Sequence, residues 1–496
     1  MTGFTGLGLV RVNVKRKFAY RSVAALLLLV HAAGCCWHAV KPLPDGLSHR
    51  GAWLPCTDAR FLCDVTGLDA NGARQSEQQI FDELFAMINR AERIVVIDMF
   101  LFNAFLGAGP APHRPLCDEL TQTLILRKRT VPALRAVVIT DPVNTVYGGM
   151  KAAHLERLKS AGVEVVFTRL ERLRDSNAAW SSLWRLLGQP WGNSPCGGWV
   201  PNPFGGEPVT VRSWLALLNF KANHRKVAIA DDGPGLRALI TSANPHDGSS
   251  AHTNVALVFS GPAARELLRT EDAVLTFSGR ASRSLLSIDD NDLQASSPDA
   301  CRTRIQILTE APIADAAIAM IDTSQAGDAL DLVMFYFADR QLIRALTRAA
   351  RRGVSLRVLL DPNKDAFGRT KNGMPNRQVA RELVAAGVPV RWAATHGEQM
   401  HAKLLLVRHA AGTGEMLLGS ANFTRRNVRD FNLETNARLT GLLDAPAIQE
   451  AAAFADRLWT NADNRVFSLD YDVFRDDSRR RAWLYRLQEA TGLCTW

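Results

Sequence analysis

The sequence predicts an α/β protein of two duplicated lobes, each a mixed β-sheet flanked by helices, with the functional site between the lobes. Three observations predict it. The chain has 496 residues, more than one ordinary core accommodates. Five segments recur in the same order: IVVIDMFLFN (94–103) with LDLVMFYFAD (330–339), LRAVVITDPVN (134–144) with SLRVLLDPNK (355–364), LERLKSAGVEVVFT (155–168) with ARELVAAGVPVRWA (380–393), NHRKVAIADD (223–232) with MHAKLLLVRH (400–409), and ALITSANPHD (238–247) with MLLGSANFTR (416–425). The period, roughly 200 residues, is that of a duplicated domain and excludes a solenoid. Within each half, short continuous apolar runs alternate with helical patterns.

The individual elements follow from period and composition. Residues 76–92 and 339–353 repeat apolar side chains at three- and four-residue spacing. In the first, Ile80, Leu84, Phe85, Met87 and Ile88 form the face turned to a sheet. The unbroken apolar runs are those of strands covered on both faces. The polar stretch 287–302, rich in Asp, Ser and Pro, reads as the linker. The expected division is an export signal over 1–35, an N-terminal extension over 36–75, lobe one over 76–290 and lobe two over 300–480. Residues 171–220 have no counterpart in the second half and form an insertion in lobe one. It holds Trp180, Trp184, Trp191, Trp199 and Trp214, which suit either packing between the lobes or contact with lipid headgroups.

The formal charge of +10 fits an anionic partner, a membrane surface or nucleic acid, without choosing between them. A basic N-terminal segment precedes the apolar run from Val23 to Gly34. That run is shorter than the ~20 residues of a comfortable membrane span, so the pattern reads as an export signal, with an uncleaved anchor as the alternative. Ala32-Ala33-Gly34 before Cys35 resembles a lipobox, with Cys35 as the lipid-bearing residue. None of the eight cysteines shows zinc-site spacing, and Cys56 and Cys63 are close enough to bridge.

The two His-x-Lys segments carry the chemistry. On a strand, residues two apart share a face, which pairs His224 with Lys226 and His401 with Lys403. Each next strand ends in Ser-Ala-Asn, adding Ser242 and Asn244, and Ser420 and Asn422. An ammonium, a hydroxyl and an amide suit the charged oxygens of a phosphodiester, and an imidazole can attack phosphorus or move protons. Two such sets related by duplication face one substrate. Asp141 and Asp361 stand at matching strand ends, where they serve either a site or a turn. His396 and Glu398 are candidates for the entrance.

His224-x-Lys226-x4-Asp231 with Ser242 and Asn244, and His401-x-Lys403 with GSANF, resemble the paired His-Lys-Asp motifs of the phospholipase D superfamily. The resemblance spans residues 75–460. It implies a metal-independent, cofactor-free phosphodiester hydrolase or phosphatidyltransferase working through a covalent phospho-histidine. His224 would be the nucleophile and His401 the general acid and base. Lys226, Lys403, Ser242, Asn244, Ser420 and Asn422 would hold the phosphate. The family's acidic residue that orients each imidazole falls on Glu434 in lobe two. In lobe one that place offers only His252 or Asn254. Asp231 completes the first motif in a supporting role. Arg408 replaces its counterpart, too far along the strand for contact with phosphate and expected in solvent or paired with an acid. The expected substrate is a glycerophospholipid headgroup at a membrane surface, with nucleic acid disfavoured. The chain is expected to be monomeric, because it holds both half-sites, and located in the bacterial envelope. A superfamily nuclease and a non-catalytic envelope protein are the alternatives.

Overall fold

The computed structural model describes residues 6–106, 113–196, 198–280, 285–287, 303–366, 369–494 and 496. Most of the expected linker, with Cys301, lies outside them. The first lobe holds strands β2 (Arg60–Leu68), β3 (Arg74–Glu77), β4 (Ile94–Met99), β5 (Arg135–Thr140), β6 (Glu164–Phe167), β7 (Lys226–Asp232), β8 (Gly235–Thr241) and β9 (Asn254–Ser260). The second holds β10 (Thr303–Thr309), β11 (Ala329–Met334), β12 (Ser355–Leu360), a ribbon of β13 (Asp365–Ala366) with β14 (Arg369–Thr370), then β15 (Val390–Ala393), β16 (Lys403–Arg408), β17 (Thr413–Gly419), β18 (Thr435–Leu442) and β19 (Ser468–Asp470). β1 (Leu54–Cys56) sits at the edge of the second sheet, paired with β10.

The duplication is visible in the strand order. One sheet runs β3-β2-β9-β8-β7-β4-β5-β6 and the other β1-β10-β18-β17-β16-β11-β12-β15-β19. From β2 to β6, and from β10 to β15, the two orders match strand for strand. In each, one parallel set (β4-β5-β6, β11-β12-β15) joins an antiparallel set through β7 or β16. The expected N-terminal extension is not separate: β1 joins the second sheet, while β2 and β3 complete the first.

Helices α2 (Ile80–Arg90), α3 (Leu116–Thr130) and α4 (Ala153–Ser160) cover the outer face of the first sheet, and α8 (Ala311–Thr323), α9 (Arg340–Arg351) and α10 (Asn376–Ala385) that of the second. α2 buries Ile80, Leu84, Met87 and Ile88 as its periodicity requires, and Phe85 is half-buried. α9 is capped by Asp339, whose side chain accepts from Gln341 N and Leu342 N. The inner faces share one core: Ile240, Val255 and Leu257 of lobe one lie in the same apolar cluster as Met416, Leu418 and Leu439 of lobe two. Two helices close it, α7 (Pro262–Phe277) reaching β10 and α12 (Pro446–Thr460) reaching β2 in the other lobe. The lobes are therefore held in fixed register by apolar burial, which is non-directional but proportional to area.

At the N-terminus α1 (Gly6–Val40) is one continuous helix, and its Tyr20–Val40 stretch is apolar, unburied and long enough to cross a membrane. The apolar segment is thus longer than the Val23–Gly34 run suggests, because the helix carries on past Cys35 and Cys36. The insertion contributes α5 (Ala178–Leu187) and α6 (Val211–Leu217). The chain continues through α11 (Arg425–Val428) and ends with α13 (Arg479–Thr491). Trp180 and Trp214 donate to Leu215 O and Pro201 O inside the insertion, while Trp191 and Trp199 are exposed. These four do not pack between the lobes. No disulfide joins Cys56 to Cys63.

Candidate active site

The two histidines meet because each lobe's His loop pairs with the other lobe. His224 N donates to Leu433 O at 2.9 Å, and His401 N to Thr253 O at 2.8 Å. Each His sits just ahead of a strand, β7 or β16, that starts at its Lys. The loop ahead of each His is held by the carboxylate at the end of β5 or β12. Asp141 Oδ2 accepts from Asn223 N at 2.8 Å, and Asp361 Oδ2 from Met400 N at 2.9 Å. Burial pushes these carboxyls up, to about 7 for Asp141 and about 6 for Asp361. Asp141 and Asp361 therefore fix the backbone of the site and turn the chain.

The cross-lobe pairing decides what orients each imidazole. Glu434 of lobe two lies 2.9 Å from Nδ1 of His224 in lobe one. Asn254 of lobe one presents Oδ1 to Nδ1 of His401 in lobe two at 3.1 Å. The orienting residues are exchanged between the lobes, so the missing carboxylate affects His401 and not His224. With Oδ1 as acceptor, Asn254 fixes the proton on Nδ1 and leaves Nε2 of His401 facing the substrate space.

Ser242 and Ser420 are fully buried and are not among the residues that line the cavity. Ser242 Oγ donates to Asn254 Oδ1 at 2.9 Å and accepts from Val255 N at 3.0 Å. Ser420 Oγ donates to Glu434 Oε2 and accepts from Thr435 N at 2.9 Å. Each serine thus anchors the residue that orients the partner lobe's histidine. Asn427 Nδ2 completes the shell around Glu434. Asp231 is likewise structural: its carboxylate accepts from Glu92 N, Arg93 N and Ile94 N, at 2.8 Å for the last, and so caps the start of β4. Arg408 at the matching place pairs with Asp331 at 2.9 Å. Glu398 accepts from His396 N, and neither residue lines the cavity.

The cavity over the histidines has a volume of about 350 Å³. Asn244 and Asn422 line it. Asn244 Oδ1 accepts from Leu101 N, leaving its N–H groups for a ligand. Lys226 and Lys403 lie beneath, donating to His224 O at 2.7 Å and His401 O at 2.5 Å. Two residues escaped the motif search. The rings of Phe100 and Phe335 lie 4.9 Å from His224 and His401, and 5.2 and 5.1 Å from the two lysine ammoniums. The signal was present: they occupy matching places in MFLFN and MFYFA. Tyr147, Phe204, Leu217 and Phe220 extend the apolar wall, the last three contributed by the insertion.

The site brings two imidazoles and two lysines together in a desolvated place. Burial pushes His224 down to about 4 and Lys226 down to about 7, partly offset by Glu434. His401 and Lys403 are pushed well below their ordinary values by burial first and by the neighbouring cations second. An incoming anion reverses both effects. At pH 8 a Lys226 titrating near 7 is mostly neutral and must take up a proton as an anion binds; at pH 6 it is already charged. Calorimetry of vanadate binding in buffers of different ionisation heat is expected to show proton uptake at pH 8 that shrinks toward pH 6. Uptake independent of pH would remove Lys226 from the binding charge. Among the described residues no group of three or more His, Cys, Asp or Glu is placed to hold a metal ion.

Residues 318–459 match the family model described as "Cardiolipin synthase, PLD-like domain". No curated protein matches the sequence. Among solved structures the chain is similar to phosphatidylserine synthase of Haemophilus influenzae Rd KW20, at 11% identity and a TM-score of 0.52, covering 89% of this chain and 95% of that one. It also aligns with the polyphosphate kinase of Porphyromonas gingivalis (11% identity, TM-score 0.44, covering 88% of this chain and 53% of that one). A third alignment is with the phospholipase D family member Nuc of Salmonella typhimurium (19% identity, TM-score 0.27, covering 35% of this chain and 99% of that one). Residues 318–459 thus match a phospholipase D-like domain, the same strand order recurs in the first half, and the whole chain shares its fold with phosphatidylserine synthase.

Proposed function

We propose that the chain is a phospholipase D-type phosphodiesterase or phosphatidyltransferase acting on glycerophospholipid headgroups through a covalent phospho-histidine, without a metal. The observation that carries it is the cavity itself. Two imidazoles and two asparagines line it, with Lys226 and Lys403 hydrogen-bonded to the carbonyls of the two histidines, beside walls of Phe100, Phe335, Phe204 and Phe220. The cations meet a phosphate, and the aromatic walls suit the glyceryl and acyl part of a lipid better than a polar nucleotide.

In this mechanism His224 Nε2 attacks phosphorus and the bond to the headgroup oxygen breaks. His401 gives its proton to that leaving oxygen. The substrate's own negative charge lets His401 hold a proton among lysines that otherwise expel it. The ring of the phospho-histidine carries positive charge, and Glu434 is placed to stabilise it. In the second step a water or alcohol attacks phosphorus, its proton passes to His401, and the P–N bond breaks. Lys226, Lys403, Asn244 and Asn422 hold the phosphate oxygens throughout.

The N-terminal helix supports a membrane location and retention as an anchor. His38 O accepts from Asp175 N at 2.9 Å, and His31 O accepts from Ser182 Oγ at 3.3 Å, so α1 is docked on the folded insertion. Export with lipid attachment at Cys35 is the other arrangement; mass spectrometry of the membrane-extracted chain distinguishes them by the presence of residues 6–34.

The decisive experiment incubates the purified chain with labelled phosphatidylcholine, phosphatidylglycerol and DNA in EDTA, with and without ethanol. Phosphatidylethanol formed in EDTA is the expected result. DNA cleavage with inert lipid would replace the lipid reading by a nuclease one. The His401→Ala chain is expected to accumulate a phospho-enzyme, since attack by His224 needs no proton from it when the leaving group is a good one such as p-nitrophenol. Accumulation in His224→Ala instead would exchange the two roles.

A further inference from the structure

The insertion helix α5 is patterned the wrong way round for water. Ser181 and Ser182 are buried, while Leu183, Leu186 and Leu187 are exposed. A helix on an aqueous surface turns its apolar side in and its polar side out. Burying two hydroxyls and exposing three leucines is unfavourable in water and favourable where the outer medium is itself apolar. Trp191, just beyond the helix, is exposed as well.

The neighbour of α5 indicates that medium. α5 runs antiparallel along the end of α1. Asp175 N donates to His38 O at 2.9 Å, Cys35 Sγ to Ala178 O at 3.4 Å and Ser182 Oγ to His31 O at 3.3 Å. Gly34 permits the approach, since a Cβ there would stand 2.8 Å from Ser182 Oγ. From Ala178 to Ser182 the partner on α1 moves back from Cys35 to His31, four residues for four. The same register sets Leu183, Leu186 and Leu187 level with Val30, Leu27 and Leu26. All six are exposed. The three on α1 lie inside the Tyr20–Val40 stretch that is long and apolar enough to cross a membrane. At 1.5 Å per residue the 10 residues of α5 reach about 15 Å along it, roughly half the thickness of a hydrocarbon core.

The polar groups are arranged to match. Arg185, the one charged side chain of α5, reaches back to Asp175, at the level of His38. Trp37 and Lys41 stand at that same end of α1, where Lys41 N donates to Trp37 O at 2.7 Å, and the Trp37 side chain is exposed. A charge drawn toward one end, with Trp and Lys beside it, is the composition of a headgroup layer.

We propose that α5 and the turn at Trp191 are immersed beside α1 in the leaflet that α1 enters, with Leu183, Leu186, Leu187 and Trp191 against lipid acyl chains. This rests on the retention of α1 as a membrane anchor. The same insertion supplies Phe204, Leu217 and Phe220 to the wall of the cavity over the histidines. Immersion of α5 therefore seats that cavity at the membrane surface by two contacts, an anchor and a dipped helix, instead of leaving the lobes to swing on a single tether.

The test is photolabelling of the full chain in phosphatidylcholine–phosphatidylglycerol nanodiscs that contain a phosphatidylcholine with a diazirine in its acyl chain, the labelled peptides being mapped by mass spectrometry. Labels are expected within 20–36 and also within 178–191. Leu186→Glu combined with Leu187→Glu changes two exposed side chains, so folding should be kept. Labelling of 178–191 should then fall at least about tenfold, the scale of moving carboxylates out of hydrocarbon, while that of 20–36 stays. Labels on 20–36 without any on 178–191 would overturn the proposal and keep the anchor. Labels on neither would remove the anchor reading together with the immersion. Undiminished labelling of 178–191 in the double variant would also overturn the proposal, and so would cross-links joining 178–191 of two copies of the chain, which would assign the leucine face to a dimer.

Discussion

Replacing Glu434 with glutamine is expected to lower turnover by roughly 10³–10⁴-fold, the scale seen when the carboxylate behind a catalytic histidine becomes an amide. Glu434 is fully buried and its carboxylate is surrounded by donors: His224 Nδ1, Ser420 Oγ and Asn427 Nδ2. In the proposed mechanism the phosphorylated ring of His224 is cationic, and a neutral amide offers that charge little. Shape is conserved in Glu434→Gln, so folding should change little while phospho-enzyme formation slows in a rapid-quench assay. A loss below about tenfold would mean that Glu434 only holds the ring in place. The complementary change is Asn254→Asp. It supplies His401 with the carboxylate it lacks, so the proton on His401 is held to higher pH. The limb of the pH–rate profile governed by His401 is expected to move upward in pH, and an unmoved profile would separate His401 from the proton transfers.

Arg225→Ala is expected to destabilise the chain by about 3–5 kcal/mol, the cost of removing one partner from a buried ion-pair network. Arg225 stands between His224 and Lys226 on the opposite face of the strand. It is fully buried, donating to Glu271 of α7 at 3.0 Å and to Glu310 of lobe two at 2.8 Å. Glu310 in turn accepts from Glu434 N at 3.1 Å. The substitution leaves two buried carboxylates uncompensated at the lobe junction and loosens the backbone that carries Glu434. Chemical denaturation should show the loss directly. Arg225→Met combined with Glu271→Gln and Glu310→Gln should recover part of it, since the penalty lies in the stranded charges. A single Arg225→Ala that unfolds like the wild type would mean the network contributes nothing net.

Much of the fold was legible. The repeat predicted two similar α/β lobes, the three- and four-residue spacing predicted the apolar face of α2, and His224, Lys226, His401 and Lys403 were identifiable from period-two spacing and recurrence. The roles around them were not. Ser242 and Ser420 share a face with Asn244 and Asn422 by spacing, yet they point to buried orienting groups and not to the ligand. Asp231 belongs to the motif by sequence and to the start of β4 by structure. The apolar N-terminal helix is longer than the run from Val23 to Gly34, because small residues and cysteines extend a helix that a hydropathy window reads as ending.

The sequence by itself determined the elements and the residue types of the site, since periodicity and duplication are local properties repeated along the chain. Only the tertiary structure decided which lobe supports which histidine. The Glu434–His224 and Asn254–His401 pairs join residues 210 and 147 positions apart. Such pairs are made by the shared apolar core that sets one sheet's register on the other, and no spacing rule within a single strand or helix records that register. The same packing brought the insertion's Phe204, Leu217 and Phe220 to the wall of the cavity over the histidines.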